Sequence, residues 1–205
     1  MTTEITILIY QGFDELDAVA PYEVFDTAAT HGGDLEVSLR TLDPTDRITA
    51  SHGLRIEPDG VLRDTDPDIV VVPGGGWNDR APESAWAEAE KGDVPDALAE
   101  LHQRGATLAA VCTGGMLLAE AGVLDGRPAV THASALDDLR ETDAEVVDAR
   151  VVDNDDILTA GGVTSGLDLA LHLVARRCGE EVAEQVATTI EYEPTDEVYR
   201  SDRAE

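Results

Sequence analysis

Apolar residues in this chain fall into short unbroken runs separated by polar or glycine-rich turns, and the longer stretches between the runs carry apolar positions at helical spacing. Residues 4–10, 67–72 and 107–111 are such runs, and they predict strands with both faces covered, as in a parallel sheet between helices. Residues 35–42 alternate apolar with polar and predict a half-covered strand, followed by a short excursion over 54–58. Leu16, Val19, Ala20, Val24 and Phe25 recur as on one face of a helix whose first part holds Pro21. Residues 86–103 predict one or two helices, interrupted around Gly92 and Pro95 and closed by Gly105. Further on come a short strand at 129–132, a helix at 135–141, and strands at 146–152 and 156–160 joined by an Asp153-Asn154-Asp155 turn. A nearly all-apolar helix at 167–175 should be buried, and one more helix from Glu180 leads into an acidic C-terminal tail, 189–205. Alternation of strand and helix without repeat or linker predicts one domain over 1–205: an α/β, doubly wound three-layer sandwich with a mostly parallel sheet.

In that architecture the C-terminal ends of the strands share one rim, where ligands bind. The strand ends at Tyr10, Val72, Val111, Thr131 and Ala160 therefore bring Asp17, Gly75, Cys112, His132 and Gly162 together. Cys112 is the residue to explain. An apolar strand stops at it, Thr113-Gly114-Gly115 follows, and a helix begins at once, which is how a nucleophile is set on a sharp strand-to-helix turn. The positive end of that helix favours a thiolate. Asp17, in the first turn of its own helix, is read either as a helix-end charge or as the partner of the cysteine. The Pro73-Gly74-Gly75-Gly76 turn lacks the lysine of a phosphate loop and lets backbone N–H groups approach a substrate. His31 and His52 read as solvated or capping, and His172 and Cys178 as a buried, satisfied histidine and an inert cysteine. Trp77 either walls a pocket or covers the turn. No spacing of ligand residues predicts a metal.

With these residues in place the chain resembles the ThiJ/PfpI superfamily, whose fold is flavodoxin-like and class I glutamine amidotransferase-like. The resemblance runs from Ile5 to about Ala187 and rests on Asp17-Ala18-Val19-Ala20-Pro21, Val72-Pro73-Gly74-Gly75 and Val111-Cys112-Thr113-Gly114. Within it the chain is most similar to the isonitrile hydratase-like members, through Pro21-Tyr22-Glu23-Val24-Phe25, Val130-Thr131-His132 and Gly161-Gly162-Val163-Thr164-Ser165-Gly166-Leu167-Asp168. Thr113 stands where the protease-like members have histidine, and Asp17 where deglycase-like members have glutamate. Ala133 replaces an aromatic residue, and Glu191-Tyr192-Glu193-Pro194 lacks the prolines that follow it in relatives. The resemblance implies a Cys112 nucleophile with Asp17 as general acid and base, and Gly75, Thr113, His132 and Gly162 around the substrate. It implies a small-molecule substrate, a homodimer and no cofactor. Hydration of an isonitrile is the reaction it favours. α-Oxoaldehyde chemistry of the glyoxalase or deglycase kind, or redox sensing by Cys112 without catalysis, are the alternatives.

Composition changes the picture in one respect. Acidic residues number 43 against 14 basic ones, a net charge of −29, and Lys91 is the single lysine among the 205 residues. Nucleic acid is excluded as a partner on that balance. Because the acidic residues are spread among regular apolar segments, the chain reads as a folded protein with an acidic skin rather than a disordered one. The N-terminal apolar run is too short for a signal peptide or a membrane span, which predicts a cytoplasmic protein. Mutual repulsion at this charge favours a salt-rich cytoplasm of the halophilic kind, since the Debye length shrinks to about 3 Å at 1 M salt. The midpoint of thermal unfolding should accordingly rise from low-salt buffer to molar potassium chloride; a midpoint that stays level would refute the adaptation.

Overall fold

The computed structural model of the chain describes residues 2–195 and 197–200. In chain order it has β1 (Thr3–Leu8), α1 (Glu15–Thr30), β2 (Leu35–Thr41), β3 (Ile48–Thr49), β4 (Arg55–Ile56), β5 (Gly60–Val61) and β6 (Ile69–Val72). Then follow α2 (Ala85–Lys91), α3 (Asp93–Gln103), β7 (Thr107–Val111), α4 (Gly114–Glu120), β8 (Pro128–Ala129), α5 (Leu136–Arg140) and β9 (Glu145–Val146). The chain closes with β10 (Val151–Asn154), β11 (Ile157–Ala160), α6 (Ser165–Cys178), α7 (Glu180–Thr189) and β12 (Val198–Arg200).

Among the described residues eight strands form one sheet in the order β12-β10-β11-β7-β6-β1-β2-β5, parallel throughout except between β10 and β11. The segment β2-β1-β6-β7-β11 has the flavodoxin-like order, with its switch point between β1 and β6. β6 and β7 are buried at every position, as their unbroken apolar sequences require, while β2 near the edge keeps partly exposed residues. One layer of helices is α1, α6 and α7, the other α2, α3 and α4. Phe13, Phe25, Leu98, Met116 and Leu117 are among the largest fully buried side chains between the layers.

Several expectations are corrected in detail. The excursion after β2 is a hairpin, β3 with β4, and then β5 extends the main sheet. The strand expected at 129–132 is only Pro128–Ala129, and it pairs with β9 outside the main sheet, so Thr131 is not a main-sheet strand end. The strand expected at 146–152 divides into β9 and β10, with the chain turning at Asp155, whose φ is 71°. Pro21 lies beyond the first turn of α1, removing the bond its N–H would have made to the Asp17 carbonyl. His172 is satisfied, as its apolar surroundings demand, by Asp153 at 2.7 Å. His31 is the C-cap of α1, one of its two expected roles, and its ring reaches Thr189 at 2.8 Å.

The acidic C-terminal segment leaves α7 and returns to the sheet. Its described part is docked: β12 adds to β10, and Asp168 at the start of α6 gathers the preceding loop. The buried Asp168 carboxylate accepts from Arg150 Nε at 2.6 Å, Tyr192 Oη at 2.8 Å and the Thr195 backbone N–H at 2.8 Å. Arg150 also donates to Thr164 at 3.1 Å, tying the 161–164 loop into the same knot. The expected tail at 201–205, and Asp196, lie outside the described residues. Asp168→Ala strands the guanidinium and the tyrosine hydroxyl, and should cost on the order of 3 kcal/mol of stability. Hydrogen exchange should then show faster exchange in β12; unchanged protection there would deny Asp168 its part in docking the C-terminus.

Candidate active site

Three turns at the C-terminal ends of β1, β6 and β7 build the site. Asp14 caps α1, its carboxylate accepting from the Leu16 N–H at 3.2 Å, and the helix carries Asp17 inward to complete burial. Asp17 Oδ2 accepts from the Gly74 N–H at 3.0 Å, while its buried Oδ1 has no hydrogen-bond partner among the described residues. Cys112 turns the chain from β7 into α4 with φ 58°, a region that non-glycine residues occupy only when the surroundings over-determine it. Those surroundings are its own backbone bonds: N–H to the Ala160 carbonyl at 3.1 Å, and C=O from Thr131 Oγ1 at 2.9 Å. The glycine turn locks the first and third pieces together. Gly75 N–H donates to Thr113 Oγ1 at 2.9 Å, and Asp14 N–H donates to the Gly74 carbonyl at 2.8 Å. A Cβ on Gly74 would lie 2.4 Å from Thr113 Oγ1 and 2.5 Å from the Thr113 nitrogen, so glycine is required there by close approach.

The electrostatics of this pocket are those of two acids in one dry space. Burial, and then the nearby Asp14 charge, push the Asp17 carboxyl up to about 7, against the Gly74 N–H and a Cys112 hydrogen bond that favour its ionised form. Burial and then Asp17 raise the Cys112 thiol well above its ordinary value; the Thr113 N–H, directed at the sulfur, offsets part of this. The short helix that follows does not make Cys112 a resting thiolate, contrary to the expectation from its dipole. One proton is therefore held by the Asp17–Cys112 pair over a wide range above neutrality.

Asp17, Gly75, Cys112 and Thr113 thus meet as expected, with one change of role: the Gly75 N–H is spent on the Thr113 hydroxyl and does not point at a substrate. His132 and Gly162 sit side by side, since a Cβ on Gly162 would lie 3.6 Å from His132 Cδ2. Their loops join Cys112 through Thr131 and Ala160, the residues that hold its backbone. Trp77 is buried, donates to Asp138 at 2.6 Å and meets Trp86 edge-on. Tyr10 was legible only as a strand end. It is buried beside the pair, donates to the Pro73 carbonyl at 2.7 Å, and its hydroxyl is raised by burial, then by Asp17 and Cys112.

Asp14, Glu15 and His52 also escaped sequence reasoning, because 37 residues separate Glu15 from His52. Burial opposes ionisation of Glu15, but hydrogen bonds from the His52 ring and from the Leu54 and His52 N–H groups hold it at about 2. The ligand atoms of Asp14, Glu15 and His52 lie within 4.8 Å of one another, with the His52 ring bonded to Glu15 at 2.7 Å. A shallow depression of about 730 Å³ opens here, lined by Leu16, Leu54 and Val163 besides the polar trio. A larger groove of about 970 Å³ between α6, α7 and the C-terminal segment includes none of the candidate site residues. Among the described residues no helix is long and apolar enough to cross a membrane.

Comparison with known proteins agrees with this fold. Residues 3–176 match the model of the DJ-1/PfpI family. Isonitrile hydratase of Pseudomonas putida is 30% identical over 195 residues, which cover 95% of this chain and 80% of that protein. The HTH-type transcriptional regulator CdhR of Pseudomonas aeruginosa is also 30% identical, over 91% of this chain but only 54% of its own length. Among solved structures, a THiJ/PfpI family protein from Pseudomonas syringae superposes with a TM-score of 0.82 at 28% identity, covering 95% of this chain and 77% of that one.

A raised Asp17 has a stability consequence. The unfolded carboxyl ionises near 3.8 and the folded one near 7, so the folded state binds more protons between those values and stability falls as pH rises through that window. The full difference is on the order of 4 kcal/mol, present above pH 7 and absent below about pH 4. Asp17→Asn, isosteric and uncharged, should therefore unfold at higher denaturant than the parent at pH 8 and lose that advantage at pH 4. Equal midpoints at pH 8 would show that Asp17 is not strained by ionisation.

Proposed function

The chain belongs to the DJ-1/PfpI family, and from that premise we propose that it is a cysteine-dependent hydratase converting an isonitrile and water to an N-substituted formamide. The observation that carries the reading is the buried Asp17 carboxyl, one oxygen without a partner among the described residues, coupled to a Cys112 thiol that burial and Asp17 keep protonated. An isonitrile needs a nucleophile and a proton delivered to the same carbon, and this pair holds both.

The chemistry follows from the shared proton. With Asp17 ionised, it takes the thiol proton as the sulfur attacks the terminal carbon, and passes that proton to the same carbon. An S–C bond and a C–H bond form, giving a thioimidate. Thr113 N–H holds the charge on sulfur, and Gly75 contributes at one remove by fixing the Thr113 hydroxyl, whose own proton is free to meet substrate or water. Water then adds to the carbon with Asp17 as base, the imine nitrogen gains a proton, and the C–S bond breaks as the formamide leaves and the thiol is restored. Gly162, without a side chain, leaves room beside His132. No step calls for a cofactor. The substrate is a small molecule and the protein acts as a homodimer, which sedimentation at molar salt would check.

A resting thiol opposes the redox-sensor reading, because sensor cysteines are exposed, low-pKa thiolates. The test is to give the protein an aryl isonitrile and, separately, methylglyoxal at molar salt. Formamide should form, Cys112→Ala should abolish it, and Asp17→Asn should slow it by about 10²–10⁴-fold. Lactate without formamide would move the substrate to the α-oxoaldehydes, and turnover of neither would sink the enzyme reading. The rate should rise with pH about a midpoint near 7 and then level off, since the pair reacts with one proton and not two. A rate that instead falls through pH 7 would mean a preformed thiolate beside a separate acid.

A further inference from the structure

We infer that Asn78 and Ser134 fix the tautomer of His132, so that in the neutral ring Nδ1 carries the proton and Nε2 offers a bare lone pair to the space beside Gly162, where it orients the hydrolytic water. The assignment of the tautomer stands on hydrogen-bond geometry alone; the use made of it rests on the hydratase reading.

The argument starts from a backbone carbonyl, which can only accept. Asn78 faces the Ser134 carbonyl at 2.7 Å, so the atom it presents must be its amide nitrogen. The amide oxygen then faces Ser134 Oγ at 2.7 Å, and the single hydroxyl proton goes to it. The remaining side of that hydroxyl is a lone pair, and His132 Nδ1 lies 2.7 Å from it. A hydrogen bond there requires the proton to be on Nδ1. One contact pulls the other way: the Ser134 backbone N–H points at Nδ1 from 3.2 Å and would favour a bare nitrogen. It is the longer of the two, and satisfying it would leave two lone pairs opposed at 2.7 Å. The chain of shorter bonds therefore decides.

Nε2 has no hydrogen bond from any of the described residues. A Cβ placed on Gly162 would lie 4.0 Å from it, so the absent side chain keeps that edge of the ring open. The ring follows Thr131, which binds the Cys112 carbonyl, and Gly162 follows Ala160 by two residues, which binds the Cys112 N–H. The loops that carry the lone pair and the open glycine are thus the ones that hold the backbone of the nucleophile. A water whose hydrogens are accepted by Asp17 and by Nε2 turns its own lone pair toward the thioimidate carbon. Its oxygen bonds to that carbon and one proton passes through Asp17 to the imine nitrogen. The C–S bond then breaks, and sulfur takes the remaining hydroxyl proton. His132 is left unchanged, and Asn78 and Ser134 are positioning residues.

The experiment is long-range 1H–15N correlation on protein labelled at histidine, at a pH where the ring is neutral, with His132→Gln identifying the signals. The parent and Ser134→Thr should show the Nδ1–H form. Ser134→Ala removes the acceptor and leaves the backbone N–H in command of Nδ1, and Asn78→Ala frees the hydroxyl to donate to Nδ1. Both should switch the ring to Nε2–H, and because both positions are exposed the fold should be unaffected. An Nε2–H ring in the parent, or no switch in either variant, overturns the tautomer assignment whatever the activity. On an isonitrile, both variants should keep the rate of thioimidate formation and lose about tenfold in its hydrolysis, with Ser134→Thr restoring it. Switched tautomers with unchanged hydrolysis would overturn the role in water orientation, while turnover of no isonitrile at all would overturn the hydratase reading and leave the tautomer standing.

Discussion

Everything at this rim depends on how closely the Gly74–Gly75 turn can approach the cysteine elbow. With 2.4–2.8 Å between a hypothetical Gly74 Cβ and Thr113 or Gly114, any side chain there would part β6 from β7 at the point where their loops must touch. The turn also ties itself to α1 twice, by Asp14 N–H to the Gly74 carbonyl and Gly74 N–H to Asp17. One pair of glycines thus sets the distance between a carboxyl carried on a helix after β1 and a thiol carried on a turn after β7. The strained φ of Cys112 is tolerable because four neighbouring segments hold it: Ala160, Thr131, Gly115 and the glycine turn behind Thr113.

The same closeness sets stability against chemistry. Below neutrality the pair is fully protonated, comfortable in a dry site and unable to supply a nucleophile. Above it the pair carries one negative charge that burial disfavours, and that is the state from which the proposed mechanism moves a proton from sulfur through Asp17 to a substrate carbon. A helix dipole alone would have produced a different site, with a resting thiolate open to oxidants. The second carboxylate, Asp14, adds to the effect from the cap position, so the residue that begins α1 also tunes the residue one turn into it.

Much of this was legible in the sequence. The unbroken apolar runs of β6 and β7 and the glycines after them reported a covered parallel sheet with its rim at Gly75 and Cys112, because burial on both faces leaves no other pattern. What stayed hidden had a different physical origin. Tyr10 closes a strand and carries no local signal of its bond to Pro73, 63 residues away, and Glu15 meets His52 through a hairpin too short to show periodicity. The strand at 128–129 was overcalled at its end because Val130 and Thr131 are buried for reasons of the elbow, Thr131 being bound to the Cys112 carbonyl, and not for reasons of a sheet. Composition reads residues 189–205 only as an acidic tail, and carries no sign that Tyr192 and Thr195 are drawn inward by one buried carboxylate at 168.

The surface charge and the buried pair answer to salt differently, and the order of causes says why. The exposed acidic residues repel one another through water, where ions screen them, so that part of the stability should follow ionic strength. The shift of Asp17 is caused first by burial and only then by the Asp14 charge. Desolvation is a property of the dry site and is not screened by mobile ions. Screening of the acidic skin by salt therefore leaves the ionisation of Asp17 near neutrality. The burial that achieves this is supplied by the glycine turn and the helix packed over it, not by the surface.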